Sequence, residues 1–122
     1  MAKILIVDDE PEILTLFQLL LEDAGYEVQT CNSGRLAWDQ IIKFQPEMVV
    51  LDVMLPGVDG RTIQTRMAQD PATKAIPVLI MTALGPTQGL FAGAPNVVGF
   101  LLKPFRADDI LTAIRSQLKP PS

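Results

Sequence analysis

The feature of this sequence that most constrains its fold is an uninterrupted apolar run that ends in a carboxylate. Residues 48–51 (Met-Val-Val-Leu) lead directly into Asp52, and Pro56 and Gly57 close the segment a few residues later. A continuous apolar run of this kind is typical of a strand buried on both faces, as in the centre of a parallel sheet. Asp52 is therefore predicted at the carboxyl end of a buried strand, where open α/β sheets bind their ligands.

Further strand patterns alternate with amphipathic helical patterns along the chain. Strands are predicted at 4–7, 26–31, 48–52, 77–82 and 100–103, and helices at 11–24, 34–44, 59–69 and 110–118. The segment between the fourth and fifth strands, 84–95, contains three glycines and two prolines, so at most a short helix near 87–92 is expected there. This alternation predicts a parallel five-stranded sheet with right-handed crossovers and helices on both faces.

Composition narrows the class of protein. A length of 122 residues suits one domain, which is expected over 1–119, with 120–122 as a tail or the start of a linker. The net charge of −4 and the lack of a basic run argue against binding of nucleic acid. Cys31 is the only cysteine, so no internal disulfide can form. No apolar run is long enough for a membrane span or an export signal, and a cytoplasmic location is expected.

Polar side chains stand at the ends of four of the five predicted strands. They are Asp8 and Asp9 after the first strand, Asp52 after the third, Thr82 after the fourth and Lys103 after the fifth. In a parallel sheet all strands end on the same side, so these five residues lie together at the carboxyl-terminal end of the sheet. Each has an ordinary explanation by itself, as a helix cap or a surface charge, but their matching positions favour a shared site.

The chemistry of this set points to phosphoryl transfer. Three clustered carboxylates repel one another, by roughly 4 kcal/mol for a contact at about 4 Å, and a hard cation such as Mg²⁺ relieves the repulsion. A hydroxyl and an ammonium beside them suit a phosphoryl group. The hypothesis is that Asp52 attacks phosphorus and becomes an acyl phosphate, while Mg²⁺ and Lys103 stabilise the charge of the transferring group.

With these residues in place, the chain resembles the receiver domain of two-component response regulators. The matching segments are 6–10, 50–60, 81–83 and 103–105, and the similarity extends over residues 3–118. The resemblance implies a three-layer, flavodoxin-like (βα)5 fold with strand order 2-1-3-4-5.

The resemblance also implies how a metal ion would be held. Asp52 would be the phosphoacceptor, and Mg²⁺, or Mn²⁺ in its place, would bind Asp9, Asp52 and the backbone carbonyl of Met54. Asp8 would contribute through water. Met54 and Leu84 would flank the path of a hydrolytic water, and their apolar side chains imply slow loss of the phosphoryl group.

The remaining roles concern the phosphoryl group and the switch. Thr82 and Lys103 would contact the phosphoryl group, Phe100 would be the aromatic switch residue, and the peptide bond between Lys103 and Pro104 would be cis. The donor would be a histidine kinase or a histidine phosphotransfer protein, with small acyl phosphates as substitutes. Phosphorylation would switch a surface for an unidentified output partner or fused effector, without turnover of an external substrate, so the chain would not be an enzyme.

Three other readings remain at this point. A dehalogenase-like phosphatase also forms an aspartyl phosphate, but it needs an aspartate two positions after the nucleophile, where Glu10 follows Asp8 and Met54 follows Asp52. A flavodoxin would need hydroxyls and glycines after the first strand, where Asp8 and Asp9 would repel its phosphate. A phosphorylation-independent interaction module would not need the intact set of five residues.

Overall fold

The computed structural model describes residues 2–53, 60–82, 91 and 93–118. Strands and helices follow one another as β1 (Lys3–Val7), α1 (Pro11–Asp23), β2 (Glu27–Cys31), α2 (Gly34–Phe44), β3 (Met48–Asp52), α3 (Gly60–Gln69), β4 (Val78–Thr82), β5 (Val97–Leu102) and α4 (Ala107–Arg115). Within this described part, no helix combines the length and the apolar character that a membrane span requires.

The five strands form one parallel sheet in the order β2-β1-β3-β4-β5, which confirms the predicted fold class and strand order. Every residue of β3 and β4 is buried, as their uninterrupted apolar sequences predict. β2 lies at one edge of the sheet, and its buried and exposed residues largely alternate.

Two apolar clusters, one on each face of the sheet, give the predicted three layers. On one face the strands pack against α2 and α3, through Ala37, Ile41, Ile63 and Met67 among others. On the opposite face they pack against α1 and α4, through Phe17, Leu21, Ile110 and Ile114. The spacing of these residues along their helices places them on one stripe that faces the sheet.

Local sequence signals account for where the first two helices begin and end. Pro11 occupies the first position of α1, where its missing N–H leaves no hydrogen bond unmade. Gly25 follows α1 with a φ of 98°, a conformation that glycine adopts at little cost. The hydroxyl of Ser33 accepts a hydrogen bond from the backbone N of Arg35 at 3.2 Å and so caps α2.

The fifth strand begins earlier than the sequence pattern predicts. β5 starts at Val97 rather than at residue 100, and it ends at Leu102, so Lys103 follows the strand instead of belonging to it. Val78 pairs with Val97 whereas Leu79 pairs with Gly99, so one extra residue, Val98, interrupts the register. Gly99, next to this bulge, interrupts the apolar pattern, so the sequence does not indicate the first half of the strand.

The predicted end of the last helix differs slightly from the structure, and three other predictions fall outside the described residues. α4 ends at Arg115, so Leu118 packs on the core from beyond the helix rather than from within it. The proposed N-cap Asp59, the short helix near 87–92 apart from Phe91, and the tail at 120–122 lie outside the part of the chain that is described.

α3 is fixed to the sheet at two places. A Cβ atom at Gly60 would lie 2.4 Å from the backbone oxygen of Asp52, so only glycine allows the helix to start this close to β3. One turn later, Gln64 Nε2 donates to Asn96 Oδ1 at 2.7 Å, and Asn96 Nδ2 donates to the Gln64 carbonyl at 3.1 Å. Both side chains are buried, so each satisfies polar atoms of the other that water does not reach.

Candidate functional site

The sheet brings Asp8 and Asp52 together at the carboxyl ends of its two central strands. Val7 of β1 pairs with Leu51 of β3, so the next residue of each strand stands beside the other. Asp8 is fully buried, and Asp52 is 4% exposed. Burial of two adjacent carboxylates is costly unless other groups compensate their charge.

The compensating group is the ammonium of Lys103. Its Nζ lies 3.0 Å from Asp8 Oδ2, 3.3 Å from Asp52 Oδ2 and 3.2 Å from Glu10 Oε1. A lysine ammonium carries three N–H donors, and this one has three carboxylate acceptors. The structure therefore joins three of the predicted site residues, which are separated by up to 95 positions in the sequence.

Backbone hydrogen bonds at the strand ends hold these side chains in place. The N–H of Asp8 donates to the carbonyl of Cys31 at 3.1 Å, and the N–H of Lys103 donates to the carbonyl of Thr82 at 2.8 Å. Each bond continues a ladder one residue beyond the strand. Asp8 Oδ1 also accepts from the backbone N of Glu10 at 2.9 Å, which orients the carboxylate. The peptide bond between Lys103 and Pro104 is cis, as the resemblance implies.

The pKa values of Asp8 and Lys103 are both raised, but for different physical reasons. Burial raises the pKa of Asp8 to about 6, although hydrogen bonds from the Glu10 backbone and from Lys103 act to lower it. Burial by itself would lower the pKa of Lys103, but the hydrogen bond to Asp8 and the charge of Asp52 more than offset this, and its pKa is raised above the ordinary value. Lys103 is therefore a permanent cation at neutral pH.

Thr82 and Phe100 occupy the neighbouring strands. Thr82 is the last residue of β4 and is fully buried. Asp52 pairs with Met81, so Thr82 stands one residue beyond the strand end that carries Asp52. Phe100 is partly buried and packs on the core cluster, with its ring centroid 6.0 Å from that of Phe91. Thr82 ends β4, as the sequence predicts, whereas Phe100 lies inside β5 and not at its start.

The acidic residues after β1 supply ligands of the kind that a hard divalent cation needs. One carboxylate oxygen from each of Asp8, Asp9 and Glu10 lies within 4.8 Å of the others. Asp9 and Glu10 are exposed, which leaves room for the water ligands that Mg²⁺ retains. The chemistry of the set suits the predicted metal, but the cluster contains Glu10 and not the predicted ligand Asp52. Met54, the predicted carbonyl ligand, lies outside the described residues.

One residue of the site is missing from the sequence prediction. Glu10 reaches Lys103 from the position that precedes α1. The sequence contained a signal for it, because glutamate is an unusual choice for a helix N-cap, where a short oxygen-bearing side chain is preferred.

Comparison with known proteins identifies the family. Residues 4–115 match the model of the response regulator receiver domain. The DNA-binding dual master transcriptional regulator RpaA of Synechocystis sp. is 41% identical over 98% of this chain and 50% of its own length. The response regulator PleD of Caulobacter vibrioides is 38% identical over 93% of this chain and 25% of its own length. The chain thus spans half or less of the length of these two relatives.

The fold comparison agrees with the sequence comparison. The chemotaxis response regulator CheY4 of Vibrio cholerae superposes with a TM-score of 0.88 at 31% identity, over 97% of this chain and 99% of that one. The family match covers most of the chain and includes Asp8, Asp52, Thr82 and Lys103. This chain belongs to the response regulator receiver domain family, whose standard function is phosphorylation-based switching in two-component signalling.

Proposed function

We propose that Asp52 is the residue that accepts the phosphoryl group. The observation that carries this proposal is the placement of the Lys103 ammonium, which contacts Asp52 and is held there by Asp8. Asp52 is the last residue of β3, the middle strand of the sheet, whereas Asp8 and Glu10 lie in the segment that follows β1. Its position at the strand end presents the carboxylate at the edge where α/β proteins bind their ligands.

In the proposed reaction an oxygen of Asp52 attacks the phosphorus of the donor. A new O–P bond forms as the bond from phosphorus to the leaving group breaks, and the electron pair of that bond departs with the leaving group. With acetyl phosphate the leaving group is acetate, and with a phosphohistidine it is the imidazole nitrogen. Lys103 stabilises the negative charge on the phosphoryl oxygens during transfer.

A divalent cation completes the proposed site. Mg²⁺, or Mn²⁺ in its place, would be held by Asp9, Asp52 and the Met54 carbonyl, with Asp8 acting through water, and when bound it supplies positive charge beside the transferring group. The carboxylates clustered after β1 support the part of this assignment that involves Asp8 and Asp9.

The proposed switch uses Thr82 and Phe100. The Thr82 hydroxyl donates to the phosphoryl group, and Phe100 changes position in response.

We assign residues 1–119 to the receiver domain, a proposal supported by the family match over 4–115. The donor is a histidine kinase or a histidine phosphotransfer protein, and the location is cytoplasmic. The chain acts as a signalling domain that does not turn over an external substrate, and its output passes to a partner or fused effector rather than to nucleic acid bound by this domain.

The test is phosphorylation by acetyl phosphate in the presence of Mg²⁺, measured as the intact mass of the protein. We expect one added phosphoryl group in the wild type and none in Asp52→Asn. Asp39→Asn is the matched control, because it removes an exposed carboxylate from α2 with the same change of charge, and it should be labelled like the wild type. Labelling that survives unchanged in Asp52→Asn, or in the presence of EDTA, would contradict the proposal.

A further inference from the structure

The three carboxylates around Lys103 differ sharply in their exposure to water. The side chain of Asp8 is fully buried and that of Asp52 is 5% exposed, whereas that of Glu10 is 51% exposed. All three N–H donors of Lys103 are used by these groups. A phosphoryl group on Asp52 can therefore gain a hydrogen bond from Lys103 only if one of the existing bonds is given up.

Exposure decides which bond is released. A carboxylate that loses its partner inside the protein pays the full cost of an unpaired buried charge, whereas an exposed one regains hydrogen bonds from water. Asp8 is buried and Asp52 carries the phosphoryl group itself. Glu10 is the partner of Lys103 that can leave at the lowest cost.

The backbone gives a second, independent indication that Glu10 has this task. Glu10 is the N-cap of α1 with extended backbone angles, φ −93° and ψ 114°, but its side chain does not accept a hydrogen bond from the first turn of the helix. Its side chain extends across the site to Lys103 instead. A residue at a capping position that does not cap, and that contacts the site lysine, points to a role in the site.

We propose that Glu10 is a positioning residue that restrains Lys103 in the unphosphorylated protein and releases it when the phosphoryl group arrives. This inference rests on the proposed role of Asp52. The carboxylate of Glu10 competes with the incoming phosphoryl oxygens for one N–H of Lys103 and adds a negative charge that opposes an anionic donor. Its effect on the reaction is therefore inhibitory.

The test compares rates of phosphorylation by acetyl phosphate in the wild type, Glu10→Gln and Glu12→Gln. Glu12 lies in the first turn of α1, is exposed, and is not among the described partners of Lys103, so its substitution makes the same change of charge beside the same helix terminus. We expect Glu10→Gln to react about twofold to fivefold faster than the wild type, as for loss of a half-exposed ion pair, and Glu12→Gln to match the wild type. The advantage of Glu10→Gln should shrink in about 1 M salt, because salt screens an exposed charge.

The outcomes separate this inference from the proposed function. Three results would overturn the role of Glu10 and leave Asp52 as the acceptor. They are a rate for Glu10→Gln equal to or below the wild-type rate, an equal increase in Glu12→Gln, and an increase in Glu10→Gln that salt does not change. Labelling that persists in Asp52→Asn under the same conditions would overturn the proposed function, and this inference with it. Matching thermal unfolding midpoints of the variants would show that the rates compare folded proteins.

Discussion

At the scale of single residues, the carboxylate of Asp8 places a negative charge inside the protein at the expense of folding stability. It is fully buried, and Lys103, its cationic partner within the described part of the chain, is shared with Asp52 and Glu10. The pKa of Asp8 is raised to about 6 because burial outweighs the hydrogen bonds that favour its charged form. Ionisation of this carboxylate therefore lowers the stability of the folded state.

This cost predicts a pH-dependent gain of stability in Asp8→Asn. The folded-state pKa of Asp8 lies above its unfolded value of 3.8, so ionisation disfavours folding. The penalty is complete above about pH 6 and disappears as the pH falls towards 3.8. Without metal, we expect Asp8→Asn to be more stable than the wild type by roughly 1–2 kcal/mol at neutral pH.

The measurement is thermal unfolding of both proteins in EDTA, with the difference in midpoint followed from acidic to neutral pH. The difference should widen as the pH rises from 3.8 to about 6 and should level off above that. Asp23→Asn, which removes an exposed carboxylate at the end of α1, is the control and should show no such trend. A stability difference that stays constant with pH, or a destabilised Asp8→Asn at neutral pH, would show that the Lys103 contact outweighs the burial of Asp8.

Sequence reasoning found the ends of the strands but not every side chain that reaches them. Asp8, Asp52 and Lys103 could be predicted because each follows an apolar run that the sheet must bury. Glu10 was missed because its long side chain crosses the site to contact Lys103, and a strand pattern does not show how far a side chain extends. The pairing of Gln64 with Asn96 was missed because those residues lie 32 positions apart and neither is marked by a local pattern.

At the scale of secondary structure elements, α3 is positioned by its first residue. The N–H of Gly60 donates to the carbonyl of Val53 at 3.1 Å, and a Cβ atom at Gly60 would overlap the carbonyl of Asp52. The helix start therefore sits directly against the backbone that carries the proposed phosphoacceptor.

This contact predicts that Gly60→Ala is destabilising, although alanine is ordinarily the better helix residue by about 1 kcal/mol. The added methyl must push α3 or the backbone of Asp52 away, at a cost typical of overpacking, about 1–3 kcal/mol. Unfolding in guanidinium should show a lower midpoint for Gly60→Ala, and phosphorylation of Asp52 should be slower. A variant as stable as the wild type would show that α3 can move aside without strain.

The start of β5 is a boundary that the sequence pattern did not predict correctly. A bulge at Val98 shifts the register between β4 and β5, and Gly99 follows it. The sequence around a bulge loses the regular pattern by which strands are detected, so the strand seemed to start three residues too late. The end of the strand, which matters for the site, was located within one residue.

At the scale of the whole molecule, the sheet, packed on both faces by apolar clusters, brings segments that are distant in sequence together at the carboxyl ends of its strands. The fold class and strand order followed from the alternation of patterns and from the family resemblance, because right-handed crossovers leave few arrangements of five parallel strands. The lifetime of the phosphorylated state is predicted, from the family resemblance alone, to depend on Met54 and Leu84, which lie outside the described residues.

We expect the phosphoryl group to be lost slowly. By the family resemblance, Met54 and Leu84 flank the approach of the hydrolytic water, and neither side chain can accept a proton or orient water. The chain also contains no histidine that could act as a base. Decay of the acyl phosphate at fixed Mg²⁺ should be at least severalfold faster in the double variant Met54→Asn, Leu84→Gln. The apolar double variant Met54→Leu, Leu84→Met should decay like the wild type, and equal rates in all three proteins would remove this explanation.

The identity of the acceptor is the central claim, and among the described residues four carboxylates are candidates for it. Asp8, Asp9 and Glu10 cluster together, and Asp52 shares Lys103 with two of them. Borohydride reduces an acyl phosphate to an alcohol, so the modified aspartate becomes homoserine and can be located by mass spectrometry of peptides. After phosphorylation with acetyl phosphate and Mg²⁺, the new residue should be found at position 52 alone. Reduction products at Asp8, Asp9 or Glu10, with position 52 unmodified, would contradict the assignment.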